Sequence, residues 1–168
     1  MKISDILANR ILPFEIEDEK LKKLFSFYLH SAPTIESKSA AMIEAEKLAE
    51  NWLEYRSTFP QDMSVFYAAS YPPDKFQECL LKYKLNNEAD VNRRIKAFVC
   101  KKKDKDEQEC QCLLRHLRNS IAHDNVYLSN AGNRKYILFE DFNKSDNLTA
   151  RILLSQADLS TMKRIILK

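Results

Sequence analysis

The sequence predicts a mainly α fold, a helical bundle carrying a small antiparallel β-sheet between its penultimate and last helices, and three observations point there. Glycine occurs once in 168 residues, at Gly132, where ordinary usage of about 7% would give about twelve. Tight turns are therefore scarce. Through most of the first 123 positions apolar residues step by three and four, the period of one helix face. After His123 the period shortens to that of strands. The length fits one domain over 1–168, with a bundle over 1–123, a β appendage over 124–155 and a C-terminal helix over 156–168. A chain of this size hides about 70% of its unfolded surface and needs neither disulfide nor structural metal to be stable.

The elements follow in order. Ile3, Ile6, Leu7 and Ile11 share one face of a first helix that Pro13 ends, and Leu21, Leu24, Phe25 and Tyr28 repeat the spacing in a second that stops before Pro33. The third, about Ser37 to Arg56, sets Met42, Ala45, Leu48, Ala49, Trp52 and Tyr55 opposite Glu44, Lys47, Glu50 and Glu54. Trp52 and Tyr55 are read as core. Pro72-Pro73-Asp74 opens a fourth helix carrying Phe76, Leu80 and Tyr83, while Val91, Ile95 and Phe98 mark a fifth. The sixth, about Asp106 to His123, carries Cys110, Leu113, Leu114, Leu117 and Ile121 on one stripe. Val126–Leu128, Lys135–Phe139 and Thr149–Leu154 read as strands, with Ser129–Asn133 as the first turn. Ser155 and Asp158 form a capping box for the last helix, whose Leu159, Met162, Ile165 and Ile166 dock on the bundle.

Composition excludes several functions. A phosphate-binding P-loop needs two glycines and a dinucleotide fingerprint three, so both fall. The net charge of +3 is too mild for a histone-like binder but leaves room for a local basic patch. Cys79, Cys100, Cys110 and Cys112 lack the C-x-x-C spacing of a zinc or redox site and suggest a reducing compartment. No apolar run has the length of a membrane span, and Asp5, Asn9 and Arg10 interrupt the place of a signal peptide's core, so a cytoplasmic protein is expected. The sequon Asn147-Leu148-Thr149 is read as a chance match. No metal or cofactor is expected either. His116 and His123 stand two helical turns apart, about 10.5 Å by rise, too far to share one ion along a straight helix.

What remains is Arg118-Asn119-Ser120-Ile121-Ala122-His123 at the end of an amphipathic helix. It resembles the R-x4-6-H signature of the HEPN superfamily, helical domains many of which are metal-independent ribonucleases of toxin–antitoxin and phage-defence systems. Arg118 and His123 match the paired positions and Asn119 the polar residue that commonly follows the arginine. The resemblance implies an all-helical fold, catalysis by Arg118 and His123, an RNA substrate, a homodimer with a composite active site and, for a toxin, a cognate antitoxin or defence partner.

The chemistry agrees. Cleavage by internal transfer needs a base for the 2′-hydroxyl and an acid for the departing 5′-oxygen, and an imidazole with a pKa near 6.5 supplies either. A guanidinium stabilises the crowded phosphorane. Five residues at 100° each set His123 about 140° around a straight helix from Arg118, so either the helix unwinds near Ala122 or two copies face each other. Asn119 lies on the same face as His123. His116 shares that face as a substrate contact or a spectator, and Arg115 with Lys101, Lys102 and Lys103 forms either a phosphate track or a solvated loop. His30 is read as a helix-end residue.

Overall fold

The computed structural model describes residues 1–33, 45–59, 64–67, 73–91, 96–129 and 135–168. Its centre is a sheet. Six strands, β1 (Arg10–Ile11), β2 (Ser64–Tyr67), β3 (Ala97–Lys101), β4 (Val126–Leu128), β5 (Tyr136–Phe142) and β6 (Leu148–Ser155), run in the order β1-β4-β5-β6-β3-β2. Five of them form antiparallel ladders, and β2 adds to β3 in parallel. The fold is mixed α/β, neither all-α nor mainly α, and the sheet is not confined to the stretch between the last two helices.

The side chains of the inner strands alternate between two cores. Phe98, Cys100, Ile137, Phe139, Ala150, Ile152 and Leu154 face one, while Ala97, Val99, Tyr136, Leu138 and Leu153 face the other. Helices cover both faces. The first core is closed by α2 (Glu19–Ser26), the π-helical turn Phe27–Ser31, α3 (Ala45–Arg56), α5 (Glu109–Ala122) and α6 (Gln156–Ile166), through residues such as Phe25, Tyr28, Trp52, Leu113, Leu117 and Leu159. The second is closed by α1 (Ile3–Leu7) and α4 (Pro73–Lys82), through Ile3, Ile6, Phe76 and Leu80. No helix among the described residues is long and apolar enough to cross a membrane.

Two expectations about single elements are corrected. The first helix stops at Leu7, and Ile11 belongs to β1, paired with Val126. The expected fifth helix is a strand at its C-terminal end: Phe98 lies in β3, with Ile95 outside the described residues. Ala97-Phe98-Val99-Cys100 is buried on both sides, so it shows no period-two alternation, and the spacing of Val91, Ile95 and Phe98 imitates a helix face. Strand β2 went unread. The described part of the third helix, Ala45–Arg56, and the fourth, sixth and last helices form where their patterns lie, and Ser155 caps α6 with Asp158 in a reciprocal box. Residues 37–44, the turn after Ser129 and Gly132 lie outside the described residues.

Where glycines would ordinarily sit, other residues take positive φ: Lys84 at 57°, Asp124 at 58° and Asp146 at 59°. Each closes a turn, and Asp124 closes the one that follows α5.

Candidate functional site

The end of the sheet where β3 and β5 finish and β6 begins meets the C-terminal half of α5, and an open cleft of about 520 Å³ lies there. Lys101, Lys102 and Lys103 line it from β3 and the loop beyond, Arg115, His116, Asn119 and His123 from α5, and Asp141, Phe142, Asn143, Lys144 and Thr149 from β5, its hairpin and β6. All the candidate site residues except Arg118 thus line one cleft.

The buried half of that cleft is fully paired. His116 is 1% exposed; its Nδ1 lies 2.8 Å from Asp141 Oδ2 and its Nε2 2.7 Å from the Lys101 carbonyl. Both partners can only accept in their ordinary forms, so both ring nitrogens donate and the ring is an imidazolium. Burial pushes the imidazole down, but the Asp141 carboxylate, with Cys112 beside it, outweighs this and raises it to about 9. Asn119 Nδ2 donates to the same Asp141 Oδ2 at 3.2 Å, so one carboxylate fixes a side chain of the cleft wall and the histidine behind it. Arg115 donates to both oxygens of Glu107, at 2.7 and 3.0 Å, and to the Lys101 carbonyl at 3.2 Å. Burial pushes Glu107 up, yet this guanidinium holds it below the usual carboxylate range. Beneath them, burial drives the Cys100 thiol well up, and Cys112 Sγ lies 3.5 Å from the Lys101 carbonyl oxygen.

The outer half is built by the end of α5. The α-helix ends at Ala122, and His123, whose N–H still donates to the Asn119 carbonyl at 3.0 Å, is the exposed C-cap. Asp124, at φ 58°, turns the chain so that Asn125 N–H donates to the Ser120 carbonyl at 2.8 Å and Asp124 N–H to Ile121 at 3.3 Å, a Schellman closure. Arg10 of β1 clamps it from outside, Nε donating to the Asp124 carbonyl at 2.6 Å and Nη2 to the His123 carbonyl at 3.3 Å. The α-helix does end near Ala122, one of the two solutions the spacing allowed. That ending does not bring Arg118 into the cleft. Its Nη1 reaches Asn119 Oδ1 at 3.4 Å, and its Nε is buried without a hydrogen-bond partner among the described residues.

His30 is exposed near the end of the π-helical turn, and Trp52 and Tyr55 are core. Sequence reasoning missed Arg10, Asp141, Phe142 and Lys144. Of these only Asp141 carried a signal: with Glu140 it makes a pair of carboxylates inside a mostly apolar strand, which implies buried partners.

The profile of the family described as HEPN pEK499 p136 matches residues 6–166. No curated protein and no solved structure gives a match. With the family profile spanning nearly the whole chain, this protein belongs to the HEPN superfamily.

Proposed function

We propose that this protein is a metal-independent endoribonuclease that cleaves RNA by 2′-hydroxyl attack and works as a homodimer in a toxin–antitoxin or phage-defence setting, with a cognate antitoxin or defence factor as its further partner. One observation carries the reading: His123, exposed at the end of α5, shares a cleft with Asn119 and four lysines. The lysines neutralise the phosphates flanking the cut, the sequence-independent part of RNA binding. Asn119, held by Asp141, contacts a phosphate oxygen or orients the His123 ring.

In the reaction the 2′-oxygen bonds to phosphorus while the bond from phosphorus to the 5′-oxygen breaks. The 2′-hydroxyl proton passes to a base and an acid protonates the departing 5′-oxygen. No water is consumed, and the products are a 2′,3′-cyclic phosphate and a 5′-hydroxyl. Two proton carriers serve this best, and of the two histidines lining the cleft His116 has both nitrogens engaged. A second copy facing the first across α5 supplies the second His123 and gives Arg118 a phosphate to bind, and a two-fold axis sets the same patch on both chains. Light scattering should then give about twice the 19.7 kDa chain mass.

One observation favours a second reading, a HEPN module that binds RNA or nucleotide without cutting: the Arg118 guanidinium does not line the cleft of the single chain. Incubating the purified protein with labelled RNA in EDTA separates the two. Cyclic-phosphate and 5′-hydroxyl ends, lost on a substrate with 2′-deoxy at the cut, support cleavage by transfer. Binding without cleavage supports the silent module, and 5′-phosphate ends formed only with Mg²⁺ refute the mechanism.

A further inference from the structure

Strand β5 is buried from Tyr136 through Asp141 and then presents Phe142, 39% exposed, to the cleft. The backbone arranges this. Asp141 pairs with Ala150 but Phe142 pairs with Leu148, leaving Thr149 as the extra residue of a bulge. Bulges re-aim side chains next to functional sites, and this one is fastened at both sides: Phe142 N–H donates to Asp141 Oδ1 at 3.0 Å and Thr149 Oγ1 to the Asp141 carbonyl at 3.1 Å. The carboxylate that holds His116 and Asn119 therefore also holds the backbone from which Phe142 projects. Beyond Phe142 the hairpin is pinned by Asn143, whose Oδ1 accepts from Ser145 and Asn147 N–H at 2.9 and 3.0 Å, and it carries Lys144 along the same wall. Among the described residues the other large exposed aromatic ring is Phe14, which does not line the cleft.

An exposed apolar ring on a pinned backbone, among lysines and amides, matches a ligand that has a flat π-face and phosphates on either side of it. In a duplex each base face is covered by its neighbours, whereas an unpaired base offers its face to an aromatic side chain. We propose that Phe142 is the stacking platform for one unpaired base of single-stranded RNA, beside the phosphate track of Lys101, Lys102, Lys103 and Lys144. This rests on the RNA reading of the same cleft.

The test uses the full chain and a fluorescein-labelled eight-nucleotide 2′-O-methyl oligouridylate, which cannot be cut by 2′-hydroxyl attack, alongside an abasic oligomer of equal length and charge. Phe142→Ala should weaken oligouridylate binding about 10- to 100-fold, the range for losing one stacked base, and change abasic binding less than about twofold. Phe142→Trp should restore affinity, and its indole emission should be quenched by oligouridylate and not by the abasic oligomer. Equal losses on both oligomers, or no loss, overturn the platform while leaving RNA binding intact. If the unsubstituted protein binds neither oligomer, the RNA reading itself falls and takes the platform with it.

Discussion

Two histidines seven residues apart on α5 serve opposite ends. His116, in the middle of the helix, has its charge and both ring nitrogens matched inside the chain, while His123, at the C-cap, stands exposed in the cleft. The same contrast divides the arginines. Arg115 is held by Glu107 and a carbonyl, whereas Arg118 keeps a buried Nε without a partner among the described residues. A polar atom satisfied within the chain contributes to stability, whereas an exposed group such as the His123 ring keeps its hydrogen-bonding capacity for a ligand or a second subunit. Substitutions in the inner half of α5 should therefore show in unfolding, and those in the outer half in activity.

The largest expected effect tests the inner half. Asp141→Ala removes the counterion of a buried imidazolium and one partner of Asn119, and breaking such a pair costs about 3–5 kcal/mol. Urea unfolding at pH 6 should show that loss, while His123→Ala should stay within about 0.5 kcal/mol of the parent, as exposed sites do. Equal destabilisation by the two would erase the distinction between the two histidines.

Next comes pH. The folded-state pKa of His116 is raised from 6.5 to about 9, so its charged form is favoured by folding. That contribution, about 3 kcal/mol at 1.36 kcal/mol per pH unit, is fully present below about pH 6.5 and is lost as pH climbs through 9. Asp141→Asn keeps an acceptor without the charge, and its unfolding free energy should fall less over the same range. A parent protein whose stability is flat from pH 6 to 9 would mean that His116 is neutral when folded.

A loss of about 100-fold, equivalent to about 2.7 kcal/mol, is the expected cost to cleavage of His123→Ala, and of Arg118→Ala by analogy with removing one charge-stabilising donor. The informative comparison is His116→Gln, which should lose stability first and keep cleavage at temperatures where it remains folded. Cleavage assays on the three variants at 25 °C decide this. Parent-like activity in His123→Ala or Arg118→Ala would remove the proposed site, and a folded but inactive His116→Gln would place the proton carrier in the inner half.

How much of this was legible in the sequence follows the same division. The stripe of α5, the Ser155–Asp158 cap of α6 and the chain positions of Arg118, Asn119 and His123 are local patterns, and local patterns can be read. Strand β3 could not be read as one, because a segment buried on both faces loses its alternation, and with it went the six-stranded sheet. The partners that hold the cleft together are distant in sequence, Arg10 to Asp124 across 114 residues and His116 to Asp141 across 25. Their one advance sign is the pair of charges, Glu140 and Asp141, within β5. Each has a buried cation, Arg151 at 2.7 Å and His116 at 2.8 Å.

The smallest effect concerns the turn that separates the two halves. Asp124 occupies the left-handed C′ position of the Schellman closure, which most helices give to glycine. A side chain there costs about 1–2 kcal/mol, the lower figure for the short polar Asp. Asp124→Gly relieves that strain and adds about 0.5–1 kcal/mol of backbone entropy lost on folding, so a net stabilisation of at most about 0.5 kcal/mol is expected in urea unfolding. The Arg10 clamp reaches only the backbone carbonyls at 123 and 124 and the Asn125 side chain, so the substitution leaves the His123 backbone held as before. Cleavage should accordingly stay within about twofold of the parent. If the glycine variant is more stable yet inactive, the Asp124 carboxylate itself takes part in the cleft's chemistry, and the outer half of α5 contains one functional group more than His123, Asn119 and Arg118.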